Sequence, residues 1–160
     1  MNADMTFEPI APRHDAAMAG IVRDALNAHG LDIPGTAYFD ASLDHLSVYY
    51  DRPGRCYRVL LRDGAVIGGV GVAEFGGFPD CCELQKLYLD ETARGQGLGY
   101  EMIRHIEEQA RSLGYRRIYL ETHTNLRAAI HEYERSCYRR LDRPPSVVHT
   151  TMDRFYLKEL

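Results

Sequence analysis

The sequence predicts a mixed α/β (α+β) fold: a central mixed sheet of about seven strands with four helices packed on it. Three observations carry this prediction. Strand-length apolar runs and stretches of helical period follow one another in the order β-α-α-β-β-β-α-β-α-β-β. An Asp-Gly pair at 63–64 sits between two apolar runs, a strong hairpin signal. A glycine-rich turn, Arg94-Gly95-Gln96-Gly97-Leu98-Gly99, links an apolar strand to a strongly amphipathic helix. At 160 residues the chain reads as one domain, 1–160, large enough to bury a core.

Met5–Ile10 forms the first strand. From Asp15 to Gly30, residues Met18, Ile21, Val22, Ala25, Leu26 and His29 recur on one helical face, which Gly30 closes. Leu31–Asp40 is a loop with two aromatics, and Ala41–Tyr50 is a short second helix broken by Arg52-Pro53-Gly54. Cys56–Leu61 and Ala65–Phe75 flank the Asp-Gly turn. The second of these strands holds Gly68, Gly69 and Gly71, so it bends or admits another group closely.

Cys81–Leu89 is the fourth strand. Beyond the glycine turn, Leu98, Met102, Ile106, Ala110 and Leu113 make an apolar stripe opposed by Arg104, Glu107, Glu108 and Arg111, and Gly114 ends that helix. Arg117–Thr122 is the fifth strand. Leu126, Ala129, Ile130, Tyr133 and Cys137 share one face of the last helix. Tyr138–Arg143, Pro144-Pro145 and Thr151–Leu157 complete the sheet as a hairpin-like pair. No repeat, low-complexity tract or linker interrupts the chain.

Nineteen basic and 23 acidic side chains leave a net charge of −4, which argues against a nucleic-acid role driven by charge. Cys56, Cys81, Cys82 and Cys137 form no Cys-x-x-Cys pair and no zinc-like spacing, so they read as reduced thiols and no metal is expected. Met1–Ile10 has no basic-then-apolar leader and no apolar run reaches membrane-spanning length. A soluble, cytoplasmic protein without a membrane partner is the expectation.

The glycine turn points to a ligand. Three glycines in five positions let the backbone curl so that several N–H groups face one concavity. The first turn of the following helix adds unpaired donors and the positive end of its dipole, a setting for phosphate or pyrophosphate. A P-loop needs Gly-Lys-Ser/Thr, whereas Gly99 is followed by Tyr100-Glu101. A dinucleotide fold places Gly-x-Gly-x-x-Gly early in a βαβ unit, whereas here Gly-x-Gly-x-Gly follows three or four other strands. By themselves these residues define an anion-binding α/β domain.

Arg-x-x-Gly-x-Gly at 94–99 after a strand, with Asn125, Ala129 and Tyr133 on a later helix, resembles the GCN5-related N-acetyltransferase (GNAT) superfamily. The resemblance covers residues 65–140 well and the whole chain in element order. It implies a sheet splayed between strands 4 and 5, acetyl-CoA as cosubstrate, and an amine as acceptor; a homodimer is common among such proteins. Backbone N–H groups of Gly95, Gln96, Gly97, Leu98, Gly99 and Tyr100 would cradle the pyrophosphate. A bulge would set Leu87, Tyr88 and Leu89 to meet the pantetheine arm as if it were an added strand. The N–H near Leu87 would also face the thioester oxyanion. Arg94 either meets a phosphate or props the loop, and the propping role is preferred. Asn125 either caps the last helix or holds the pantetheine arm.

The catalytic side chains implied are Tyr133, which would assist the departing thiol, and Glu83 as general base, with Glu121 as its rival. Each also has a plain reading: a core aromatic, a salt-bridged strand glutamate, an acceptor-binding carboxylate. Without a bulge, Glu83, Gln85, Leu87 and Leu89 share one strand face. Tyr38 and Phe39, with Tyr49 and Tyr50, either wall an acceptor pocket or pack as a lid. His123 and His149 read as ordinary polar residues. Such proteins usually end the last helix with Gly-Phe where this chain has Cys137-Tyr138. A non-catalytic acyl-CoA-binding sensor or scaffold of the same fold is the alternative function.

Overall fold

The computed structural model describes residues 4–160. Seven strands form one sheet: β1 Met5–Pro9, β2 Cys56–Arg62, β3 Ala65–Glu74, β4 Cys81–Leu89, β5 Arg117–Thr122, β6 Arg139–Leu141 and β7 Arg154–Glu159, in the spatial order β1-β2-β3-β4-β5-β7-β6. Every pairing is antiparallel except β4 with β5. The four helices are α1 Asp15–Ala28, α2 Leu46–Tyr49, α3 Leu98–Ser112 and α4 Arg127–Arg135.

The helices divide between the two faces, which makes two cores. α1 and α2 bury Met18, Val22, Leu26, Leu43 and Leu46 with Tyr50, Tyr57 and Val59. α3 and α4 bury Met102, Ile103, Ile106 and Ala110 with Val70, Val72, Leu84, Ile118, Leu120 and Tyr133. Each of the larger apolar side chains contributes about 1.5–3 kcal/mol when withdrawn from water.

Three expected elements shift. The helix expected over 41–50 shrinks to α2 behind a single 3-10 turn, Leu43–His45, because its dense apolar and aromatic residues hold the chain by packing rather than by helical period. The closing hairpin is β6 and β7, later and shorter than expected. Asp153 donates to the Thr122 carbonyl and Arg154 pairs with Thr122, so β5 sets where β7 begins. The Cys137-Tyr138 departure is absorbed in place. Cys137 takes the left-handed φ of +69°, while Tyr138 is buried with its hydroxyl donating to Glu107 at 2.9 Å. Lys158 reaches the same carboxylate at 3.0 Å.

The glycines of β3 position the site. Tyr57, 2% exposed, lays its ring across Gly69 and Gly71, where an added Cβ would collide with it. Its hydroxyl thereby reaches through to β4 and donates to the Lys86 carbonyl at 2.7 Å. Lys86 has φ +50°, and the β3–β4 register slips between Gly69 and Gly71: β4 carries a bulge there. A non-glycine residue in this region costs about 1–2 kcal/mol. The Tyr57 bond and the Lys86–Asp40 ion pair at 2.7 Å hold it.

The bulge changes the faces. Before it, Glu83 and Gln85 face the α1–α2 side and Leu84 the α3 side; after it, Tyr88 takes the first side, and Leu87 and Leu89 the second. Glu83 therefore does not share a face with Leu87 and Leu89. Pairing of β4 with β5 stops at Glu83↔Tyr119, so the two strands part beyond that point.

Candidate active site

The wedge between the parted strands is a cleft of about 510 Å³. Leu84, Leu87, Tyr88 and Leu89 form one wall, and Glu121, Thr122, Leu126, Ala129 and Tyr133 the other. The glycine turn closes one end. Gly97 is the N-cap of α3 at φ +75° and Gly95 lies at +76°, which turns successive N–H groups inward. Among the described residues, no acceptor is found for the N–H groups of Gly95 through Tyr100; the first helical bond runs from Glu101 to Gly97. Six consecutive free donors at a helix N-terminus, opening on an apolar slot, fit a diphosphate followed by an apolar arm.

The side chains of the turn divide. Gln96 turns away, its amide bonded to Arg62 and to the Thr92 carbonyl. Leu98 is buried beneath the cleft, and Tyr100 offers only its N–H because its ring lies under Arg135, 4.4 Å away. Arg94 lines the cleft; its backbone N–H donates to the Glu91 carbonyl, while its side chain makes no hydrogen bond or ion pair among the described residues. Asn125 does not cap α4, whose N-cap is Leu126. Its amide donates to the His29 carbonyl at 3.0 Å and ties the loop to the end of α1.

Tyr133 lines the cleft from α4, 5% exposed, and its hydroxyl has no protein partner among the described residues. Burial, then the neighbouring Tyr88, pushes its pKa above the ordinary phenol value. The group therefore stays protonated at neutral pH and keeps an O–H free to donate.

A second cavity of about 550 Å³ adjoins the first, with Lys86 and Glu121 lining both. Glu83, Gln85, Asp40, Tyr49, Glu74, Phe75 and His149 also border it. Glu83 is the only one of its carboxylates without a cation bonded to it. Its Oε1 accepts from the Gln85 amide at 2.6 Å, and the Gln85 oxygen accepts from the buried Tyr50 hydroxyl at 2.6 Å. The phenol fixes which end of the amide faces Glu83. Burial raises the Glu83 pKa to about 7, with Glu121 adding to the rise, while Gln85, His149 and Lys86 oppose it.

Glu121 is placed differently. Its Oε2 accepts from Tyr119 at 3.0 Å and its Oε1 faces His149 at 3.5 Å. His149 also meets Asp40 at 2.8 Å, and these two bonds lift its pKa to about 9. Burial alone would raise Asp40; the His149 and Lys86 bonds outweigh it and leave the carboxyl below its ordinary value.

Tyr38 and Phe39 line neither cavity: Tyr38 packs on the α1 core and Phe39 is 60% exposed. Asp40 beside them is the residue that enters. Asp40 and Lys86 were not singled out in the sequence, Gln85 stood there only as a strand-face residue and His149 only as an ordinary polar one, because Asp40, β4 and His149 lie too far apart in the chain to carry a shared spacing. The three polar residues Glu83, Gln85 and Lys86 in an otherwise apolar strand were the one available signal. Burial lifts the Cys81 thiol to about 12 and Cys82 higher still, so neither is a nucleophile at neutral pH. No group of metal-ligating residues occurs among the described residues, and no helix there is long and apolar enough to cross a membrane.

Comparison with known proteins agrees with this geometry. A solved acetyltransferase of the GNAT family from Staphylococcus aureus Mu50 superposes with a TM-score of 0.86 over 98% of this chain and 99% of its own, at 16% identity. YncA of Salmonella typhimurium, solved with acetyl-CoA, gives 0.77 over 98% and 94% at 21% identity. YjgM of Escherichia coli K12, an uncharacterized N-acetyltransferase, is 38% identical over 128 residues, 79% of this chain and 77% of that one. The profile described as Acetyltransferase (GNAT) family matches residues 24–137. The chain belongs to the GNAT acetyltransferase family.

Proposed function

We propose that the protein transfers an acetyl group from acetyl-CoA to a primary amine of a small molecule or peptide, by direct attack in a ternary complex. One observation carries this reading: Glu83, with a pKa of about 7, borders a cavity that meets the coenzyme-shaped cleft at Lys86 and Glu121. A carboxylate poised near neutral pH is suited to accept a proton at the moment of attack.

Acetyl-CoA supplies an activated acetyl thioester. The amides of Gly95–Tyr100 hold its diphosphate, with Arg94 as a further cation, and Leu87, Tyr88 and Leu89 flank its arm. Glu83 takes the ammonium proton at its carboxylate. From a lysine-like amine near 10 to Glu83 near 7 the transfer is uphill by about 3 units, roughly 4 kcal/mol, and burial of the ammonium narrows the gap. Glu121, bonded to Tyr119 and facing His149, orients rather than abstracts. The N–H of Leu87, next to the bulge, is assigned to the developing oxyanion. Tyr133 donates a hydrogen bond to the leaving sulfur, which takes up the second proton of the attacking nitrogen as the C–S bond breaks. Its raised pKa makes full proton transfer to a thiolate of about 8.5 more unfavourable than for an ordinary phenol. The buried Cys81 and Cys82 support direct transfer over a covalent acyl-enzyme.

The test is thiol release from acetyl-CoA across a panel of amines, amino acids, polyamines and peptides, with melting curves in CoA, ATP and NAD. Turnover with at least one amine, and stabilisation by CoA alone, is expected. A coenzyme-binding scaffold would give the heat shift and no thiol release.

A further inference from the structure

We infer that the acceptor cavity selects amines that carry no carboxylate near the reacting nitrogen, and that Asp40 is the residue setting this preference. The inference rests on the acetyl-transfer reading and narrows its acceptor.

The charges around the cavity carry the argument. Four carboxylates border it, from Asp40, Glu74, Glu83 and Glu121, against two cations, Lys86 and His149. Both cations are already engaged. Lys86 Nζ lies 2.7 Å from Asp40 Oδ2, and its side chain is only 7% exposed. His149 Nε2 lies 2.8 Å from Asp40 Oδ1, while its Nδ1 faces Glu121 at 3.5 Å. One carboxylate therefore binds both cations, a separate oxygen to each. Arg55 is held outside the lining by Glu74, and Arg143 by the Met152 carbonyl and the Phe155 ring. Glu83 alone bears a charge with no cation bonded to it.

An acceptor ammonium entering this cavity meets Glu83 and completes the charge pattern. A zwitterionic α-amino acid brings a second group, its carboxylate, that finds no free cation and four like charges. Burying such a group unpaired is strongly unfavourable. Specificity of this kind is set by what the site repels. Replacing Asp40 with asparagine keeps the shape, leaves Lys86 and His149 partly unpaired, and removes one negative charge. A carboxylate-bearing acceptor then has a place to bind.

The experiment compares matched pairs: alanine with alaninol, leucine with leucinol, phenylalanine with phenylalaninol. Reducing the carboxylate to hydroxymethyl leaves the amine's basicity close to that of its parent, so the pairs isolate the carboxylate. Short peptides and alkyl diamines are run alongside. For the native protein, kcat/KM is expected to be at least about fiftyfold higher for the carboxylate-free acceptors, a differential typical of one buried unpaired charge. Asp40→Asn is expected to shrink that ratio by about tenfold or more, by raising the rate with the acids. Acids turned over as well as alcohols by the native protein overturn the rule while leaving acetyl transfer intact. A preference present in the native protein but unchanged in Asp40→Asn overturns the assignment to Asp40. The native comparison decides without the variant, should Asp40→Asn fold poorly. Turnover with no acceptor at all, peptides and diamines included, removes the transfer reading and the acceptor rule with it.

Discussion

The two cavities of this protein are built on opposite plans. The coenzyme-shaped cleft takes its polar recognition from consecutive backbone amides, Gly95 to Tyr100, within one turn of chain. The second cavity, proposed for the acceptor, takes its own from side chains spread between Asp40 and His149, contributed by the loop before α2, by β3, β4 and β5, and by the loop leading to β7. A backbone site depends on φ angles and hardly on side-chain identity. A side-chain site depends on every residue that touches it, so it can be rewritten residue by residue while the first stays fixed. The two meet at the β4 bulge, where Lys86 and Glu121 line both.

The strongest way to separate the halves is Glu83→Gln. Loss of a general base typically costs 10² to 10⁴ in rate, so turnover should fall by about that factor while CoA binding measured by calorimetry stays within about twofold. In the native protein, activity should rise with pH through about 7 as Glu83 loses its proton, and this limb should vanish in the variant. Stability should move the opposite way. The Glu83 carboxyl has a folded-state pKa above its ordinary 4.5, so the fold favours the protonated form and loses stability as pH climbs from about 4.5 to about 7. Glu83→Gln should therefore raise the melting temperature more at pH 8 than at pH 5. An unchanged rate at saturating substrates would move the base elsewhere.

Tyr133→Phe removes one donor from the cleft and leaves its shape. A hydrogen bond to a charged group is worth about 1.5–3 kcal/mol, so turnover should fall roughly ten- to a hundredfold with little change in CoA affinity. Full activity would return Tyr133 to the core as a packing aromatic.

Gly97→Val tests the backbone half alone. An added Cβ at Gly97 meets nothing within 4 Å, so crowding is not the issue. The left-handed φ of +75° is, at about 1–2 kcal/mol for a residue with a side chain. CoA affinity should weaken about tenfold, with turnover at saturation nearly unchanged. Loss of turnover without loss of affinity would mean that the turn does not hold the diphosphate.

These unequal plans explain what could be read beforehand. The order of elements along the chain, the hairpin at Asp63-Gly64, the stripe of α3 and the glycine turn all rest on patterns within a few residues, and each stood in the sequence. Glu83 and Tyr133 were singled out through the resemblance to the GNAT family and not through any local contact. Asp40 was not, because its value lies in bonds to Lys86 and His149, 46 and 109 positions away. Tyr38 and Phe39 drew attention as aromatics in a loop, yet the neighbouring aspartate is what the chain direction aims into the cavity. The face that strand alternation alone would share between Glu83 and Leu87 is broken by the bulge that the family resemblance implies. The bulge is set by Tyr57 reaching across Gly69 and Gly71, a tertiary contact that strand alternation cannot contain.

Gln85→Leu probes the acceptor half more gently. With its amide gone, Glu83 loses the bond that opposes its rise, so the pH limb near 7 should move upward. Activity at pH 7 should drop several-fold and converge with the native value at alkaline pH. Tyr50→Phe, which only frees the amide to turn, should move the limb less. A uniform loss at every pH would make Gln85 a packing residue and leave Glu83 to be tuned by burial alone.

Cys137→Gly lies outside both halves and should change neither binding nor turnover. Cys137 is exposed and holds the left-handed φ of +69° that ends α4. Relieving that strain is worth about 1–2 kcal/mol, and glycine's greater freedom in the unfolded chain takes back about 0.4–1 kcal/mol. The balance is a gain of roughly 0.5–1 kcal/mol, which for a chain of this length raises the melting temperature by about 1–4 °C. An unchanged or lower melting temperature would show that Tyr138, through Glu107 and Lys158, already holds the turn without strain. Altered turnover would show that the end of α4 transmits to Tyr133, four residues back, and that the two cavities are less independent than their separate plans imply.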